Sequence, residues 1–482
     1  MRSDSNRPIF ATLARLIAIG SLALSSVAVP GNAGIAGAVT PPNIDYSKVP
    51  DDARPAPTYE TRQGSPCSEA GVMPNSNLME PAPASASLAI QEAWRFSRGA
   101  GAKVAIIDTG VRPQRRLPRL VPGGDYVQAG GDGLTDCDAH GTLVAGIIGA
   151  APAPTDGFAG VAPEATLYSI RQSSAKFSQN IPNPTNDPNK SQTAGNIADL
   201  AKAVRHAADL VPRGVINISV VSCINPAQPI DQSALGAAIW YAAVRKDVVV
   251  IAAAGNAGGT TGSTSCQQNP GASPQTPTDL RNWNGVKTIS APAWFDKYVV
   301  SVGFTAPQGQ PSTNASLQGP WVTLGAPGSG IVSLDPRDGN TVVNAVRNSQ
   351  GQLEPAAGTS YAAAYVSGVA ALLRSRFPQL TAKQIIARLT STAQAPARTP
   401  DNVIGHGLID PVAALTYNVP LDGDAPRDRS EKTLPIADPP PPADTRPRTA
   451  ATIAVGAVVA AAIVALLLRA GLRRTPNRKE EL

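Results

Sequence analysis

Histidine is scarce in this chain, with three in 482 residues, and only four cysteines accompany them, none in a Cys-x-x-Cys spacing. Structural zinc sites draw four such ligands from closely spaced pairs, so no zinc site is expected. No carboxylate-rich loop of the calcium-binding kind occurs either, and neither metal nor cofactor is expected. Aromatic residues make up 4% against 42% apolar residues, so the core must be built on Ala, Val, Leu and Ile. Excess charge is also missing once it is located. Of the formal +6, Arg2, Arg7 and Arg15 against Asp4 carry +2 within residues 1–15. Residues 469–482 carry +3, which leaves +1 for everything between. That is too little for a footprint on a phosphate backbone, and a nucleic-acid partner is excluded.

Both charged ends read as targeting instead. Arg2, Arg7 and Arg15 precede the apolar run LIAIGSLALSSVAV, followed by small residues with Ala33, Ala36 and Ala38. This is the three-part plan of a secretory signal peptide over residues 1–38. At the other end, residues 450–468 form 19 consecutive positions without a charge. At about 1.5 Å per residue they match the roughly 30 Å of hydrocarbon that a spanning helix crosses. The arginine-rich tail after them, 469–482, belongs in the cytoplasm by the positive-inside rule. The body should therefore face outward, in an oxidising compartment, on one C-terminal membrane helix. There Cys67, Cys137, Cys223 and Cys266 form an even set with two disulfides and three possible pairings.

Between the ends the chain changes texture several times. Residues 39–88 are rich in Pro, Ala, Ser and Asp without a sustained period, and read as an extended N-terminal arm. From 89 to 417, continuous apolar runs at 102–108, 214–221, 247–255 and 298–304 read as buried strands. Helical stretches from 140, at 193–211 and at 231–246 lie between them. Buried strands separated by helices indicate an α/β fold with a parallel sheet covered on both faces. Two polar insertions, 173–192 and 258–277, read as long loops. Residues 418–449, with the run Pro439 to Pro442, read as a semi-rigid polyproline linker.

Four positions carry the chemistry. Asp108 ends the strand VAIID, His140 opens a helix in DAHGTLVAG, Asn256 follows a strand in AAAGN, and Ser360 opens the alanine-rich helix of GTSYAAAYVSG. Singly, each is explained as a turn or cap residue. Together they fill the roles of acyl transfer once each. A serine hydroxyl needs a base to take its proton, the base needs an acid to fix its tautomer, and the oxyanion needs a preplaced donor. The remaining histidines read as structural, His206 on a solvent-facing helix position and His406 in a glycine-rich turn.

The blocks AIIDTG, HGTLVAG, AAAGN and GTSYAA resemble the signature blocks of the subtilisin-like serine proteases, in their Asp, His, Ser order. The resemblance covers roughly residues 90–417 and implies a three-layer fold with a mostly parallel sheet and helices on both faces. It implies that Asp108 orients His140, that His140 is the general base and acid, and that Ser360 is the nucleophile. Asn256 and the Ser360 backbone N–H would form the oxyanion hole. Ser219, Val220 and Val221 resemble the strand that pairs with extended substrate, alongside Ala253, Ala254 and Gly255. Two positions depart from the family: Leu143 replaces a second histidine, and Ala364 replaces a proline inside the helix after Ser360. The latter should leave a more regular helix.

The whole layout resembles the mycosins, the membrane-anchored proteases of mycobacterial type VII secretion systems. That likeness implies the pairings Cys67–Cys137 and Cys223–Cys266, and an arm that stays tied to the catalytic domain. It also implies two roles, a serine endopeptidase acting on proteins exported by the secretion system, and a component that stabilises the secretion membrane complex. Its partners would be those exported proteins and the complex itself.

Overall fold

The computed structural model describes residues 39–180, 193–258, 260–261, 264–272, 278–339, 341–348, 350–420 and 446–472. The signal-peptide reading, most of the Pro-rich linker and most of the basic tail lie outside the described residues. The chain divides into two units, 1–423 and 424–482.

The first unit is built on seven parallel strands: β1 (Lys103–Asp108), β2 (Leu120–Asp125), β3 (Thr166–Arg171), β4 (Val215–Ile218), β5 (Val249–Ala253), β6 (Val299–Thr305) and β7 (Val322–Pro327). Their order across the sheet is β7-β6-β5-β4-β1-β3-β2. Each central strand is apolar throughout because both of its faces are covered. Val104 and Ile106 of β1, with Val249 and Ile251 of β5, point into one layer. Ala105 and Ile107, with Val250 and Ala252, point into the other. The strand period of two thus sorts alternate residues between two cores.

The first core is closed by α1 (His140–Gly149), α4 (Thr359–Arg376) and α5 (Ala382–Ser391). The second is closed by α2 (Ile197–Leu210) and α3 (Ser233–Trp240). α2 begins with Asn196 accepting from Asp199 N, and α5 with a capping box between Thr381 and Gln384, so local sequence sets both starts. α4 differs, being buried from Thr359 to Arg374. A helix apolar on all sides belongs in the core, and the small Ala, Ser and Gly side chains let it lie close under the sheet. Ala364 is fully buried there and the helix runs 18 residues unbroken, as its missing proline implied.

The arm lies along the outside of this unit. Tyr46 packs against Trp240 of α3, with ring centroids 4.7 Å apart and the planes tilted by 42°. Thr58 N donates to Asp199 of α2 at 3.2 Å. Thr61–Gln63 pairs antiparallel with Phe177–Gln179, and Ala70–Gly71 with Ala345–Val346. Further on, Ser85 Oγ lies 3.2 Å from Tyr365 Oη of α4. These contacts correct two sequence readings. The insertion from 173 is a loop only in part, because Ser174–Gln179 is a strand once the arm supplies its partner. His206 does not simply face solvent: its Nδ1 meets Asp52 of the arm at 2.9 Å.

Within the second unit, α6 (Arg446–Leu472) contains the one helix among the described residues long and apolar enough to cross a membrane, Thr449–Ala470.

Candidate active site

β1 and β4 are neighbours in the sheet, yet β2 and β3 separate them in sequence, and the winding reverses across them. Crevices form at the carboxyl ends of strands at such a reversal. Asp108 is the last residue of β1, and Ser219 directly follows β4, whose Ile218 is in register with Ile107.

Asp108 is fully buried, and its Oδ1 accepts from His140 Nδ1 at 2.7 Å and from Thr109 N at 2.7 Å. A histidine that donates from Nδ1 presents Nε2 as its free base. The ring also lies against Tyr361, with centroids 5.5 Å apart. Burial pulls the proton affinity of His140 down, but the Asp108 carboxylate, helped by Asp136 and Asp138, outweighs it and raises the pKa above 6.5. Close approach of β1 and α1 requires glycine on both sides. Gly110 has φ +97°, and a Cβ on Gly141 would stand 2.0 Å from Gly110 O.

Ser360 is the second residue of α4 and is 7% exposed. Its Oγ donates to Ser219 O at 3.1 Å, and among the described residues it makes no hydrogen bond with His140. The strong carbonyl acceptor beside it explains that orientation, and one χ1 rotation separates it from a hydroxyl aimed elsewhere. Unliganded catalytic hydrogen bonds are often loose in this way. Asn256 comes to the same helix start: its Oδ1 accepts from Thr359 N at 3.0 Å and from Thr359 Oγ1 at 3.2 Å. With the oxygen engaged, the amide Nδ2 remains as a donor. Gly358, at φ +153°, keeps that approach open, since a Cβ there would sit 3.2 Å from Nδ2.

The expected substrate-binding residues divide by their backbone bonding. Among the described residues Val220 and Val221 have no backbone hydrogen bond, so that edge is open to an extended peptide. Gly255 is different: its N–H donates to Thr359 Oγ1 at 3.1 Å and its C=O accepts from Leu317 N at 2.8 Å. The Gly255 N–H and C=O are thus both engaged within the fold. Ala253 ends β5, and Ala254 N is taken up by Val302 O at 3.0 Å. Both disulfides join as the sequence resemblance implied, Cys67–Cys137 and Cys223–Cys266. The second packs with Leu317 and Val221 behind the open edge. Among the described residues no three His, Cys, Asp or Glu side chains converge as metal ligands would. A cavity of about 560 Å³ between Pro81–Trp94 and Pro152–Ala159 is lined by none of these residues.

A profile of the subtilase family matches residues 99–407. Mycosin-1 of Mycobacterium tuberculosis (strain ATCC 25618 / H37Rv) is 48% identical over 91% of this chain and 96% of its own. The chain belongs to the subtilase family and, within it, to the mycosins. A crystal structure of MycP1 from the ESX-1 type VII secretion system, 48% identical, superposes with a TM-score of 0.75 over 80% of this chain and 97% of that one. The corresponding chain of an intact ESX-5 inner membrane complex, 43% identical, gives a TM-score of 0.74 over 90% and 100%.

Around the three motif residues, this mycosin holds groups that sequence reading passed over. Ser367 Oγ of α4 donates to Asn217 Oδ1 of β4 at 2.8 Å, and Asn217 Nδ2 donates to Ser219 Oγ at 2.8 Å. Ser219 Oγ in turn donates to Ser360 O at 3.3 Å. This buried ladder fixes the start of α4 against the end of β4. Asn217 interrupts an otherwise apolar strand, VINI, and that interruption was the available signal. Asp136, in the sequence DCDAH before α1, is the other group missed.

Proposed function

We propose that this mycosin is a membrane-anchored serine endopeptidase that hydrolyses peptide bonds of proteins exported by a type VII secretion system. The observation that carries the reading is the 2.7 Å His140–Asp108 hydrogen bond at a strand-end crevice that also receives the Ser360 helix start. His140 Nε2 takes the Ser360 proton as Oγ attacks the scissile carbonyl. Asn256 Nδ2 and the Ser360 N–H hold the oxyanion, and His140 then returns the proton to the leaving amine. Val220 and Val221 receive the substrate backbone. The Thr449–Ala470 segment spans the membrane, with the arginine-rich tail cytoplasmic and the catalytic unit outside. The arm is a permanent wrap, held by strand pairing and by Cys67–Cys137, and active enzyme retains it. Comparing the termini of secreted proteins from wild-type and Ser360→Ala cells tests the activity. Termini present only in the wild type support it, and identical sets reject it.

A second reading is favoured by the relative seen in the ESX-5 inner membrane complex. In it the chain also stabilises the secretion membrane complex without cleaving anything. Secretion that survives Ser360→Ala but not deletion of the whole chain supports that role.

A further inference from the structure

Asp136 stands four residues before His140 and is 6% exposed. Its Oδ1 accepts from Thr109 Oγ1 at 2.9 Å and from Asp138 N at 3.1 Å. Its Oδ2 accepts from Thr142 N at 2.8 Å and from Thr142 Oγ1 at 2.6 Å. Thr109 in turn accepts from Gly141 N at 2.9 Å through Oγ1, and its own N–H is bonded to Asp108. One carboxylate thus joins the turn after the orienting acid to the first turn of the helix that begins with His140. A neutral Ser or Asn could meet Thr142 N alone, but its single acceptor oxygen could not take all four donors. A second buried negative charge beside Asp108 is a costly way to do so, and the cap alone does not account for it.

The loop is anchored from outside as well. Cys137, between Asp136 and Asp138, is bonded to Cys67 of the arm. Asp138 accepts from Ala175 N at 2.8 Å and from Ser174 Oγ, on the strand that pairs with the arm. The loop before His140 is therefore held at the two residues that follow Asp136.

We propose that Asp136 is a positioning residue for the reaction: it locks the first turn of α1 onto the turn after β1, so that His140 faces Asp108. Its charge favours the imidazolium that forms as Ser360 is deprotonated. The ionisable groups that bear on this unit are Asp108, Asp138 and His140, and Tyr361 from α4. Arg171 and Lys176 act on Asp138. Burial pushes the Asp136 carboxyl up to about 6, and the nearby Asp108 adds to the shift.

The inference rests on Ser360 as the nucleophile and His140 as its base. A fluorophosphonate probe tests the two separately on the full-length chain in detergent. Ser360 Oγ bonds to phosphorus, the P–F bond breaks and fluoride leaves with the electron pair, while the hydroxyl proton passes to His140. In Asp136→Asn the plateau labelling rate should fall about 10- to 100-fold. The acid limb should move to lower pH, because His140 loses a neighbouring negative charge. A merely structural defect would lower the plateau without moving the limb. An Asp136→Asn enzyme with the wild-type plateau, or with an unmoved limb, overturns the proposal. If that variant does not fold, Thr109→Val removes the links to both Asp136 and Gly141 and keeps the charge. A lowered plateau that Thr109→Ser restores then supports the proposal, and a wild-type plateau in Thr109→Val overturns it. Equal labelling of wild type and Ser360→Ala would instead sink the reading of Ser360, a separate failure.

Discussion

Two helix starts meet in the crevice, and they are held by opposite means. α1, which begins with His140, is tied down by a buried carboxylate, Asp136, on a loop bonded to the arm. α4, which carries Ser360, is tied down by neutral groups alone: Asn256 on Thr359 N, and the Ser367–Asn217–Ser219 ladder. The chemistry explains the difference. Negative charge near the base stabilises the imidazolium, whereas negative charge at the nucleophile's helix start would oppose the oxyanion that its dipole and free N–H groups should attract. Among the described residues no acceptor meets the Ser360 N–H. The electrostatic demands of the two ends differ, and so do their anchors.

The sharpest way to break the comparison is on the charged side. Asp108→Asn should leave the geometry in place but favour the wrong tautomer of His140, lowering kcat by about 10⁴, the size known for such a change in a serine protease triad. On the neutral side, Asn256→Ala should lower kcat by about 10²–10³, as loss of this donor does in a subtilisin. Asn256→Asp should fall lower still, because it puts at α4 the charge that α1 tolerates; equal rates for the two variants would break the contrast. Asn217→Ala strands the Ser367 hydroxyl and takes from Ser219 Oγ its donor. It should destabilise the fold by about 1–3 kcal/mol and lower kcat about tenfold with the pH midpoint unmoved. Denaturant melts and pH–rate profiles on one preparation check both.

The smallest effect is a linkage. Asp136 ionises near 6 in the fold against an ordinary value of 3.8. Its contribution to stability is therefore full below about pH 3.8 and is lost as pH rises through about 6. Asp136→Asn should gain on the wild type in melting temperature between pH 4 and 6, and a constant difference would refute the shift.

Much of this was open to reading in one dimension, for identifiable reasons. β1, β4, β5 and β6 are apolar runs because both faces are covered, and such runs stand out locally. Asp108, His140, Asn256 and Ser360 sit in short blocks whose turn and helix-start chemistry is visible in a few neighbouring residues. β2 was not legible, because Pro122, Gly123 and Gly124 break its pattern and its register slips there. Asp136 carries no local mark, since three of its four donors come from turn and helix residues that only the folded chain brings round it.

The sequence by itself determined where the four motif residues stand and which central strands are buried, because motif blocks and continuous apolar runs are properties of neighbouring residues. The tertiary structure decided which distant polar residues meet: Asp52 against His206, 154 residues apart, and Ser367 against Asn217, 150 apart. No local pattern encodes such pairings, since each partner alone is a plain polar residue. Only packing in three dimensions brings a buried carboxylate to the start of the His140 helix and neutral hydrogen bonds to the start of the Ser360 helix.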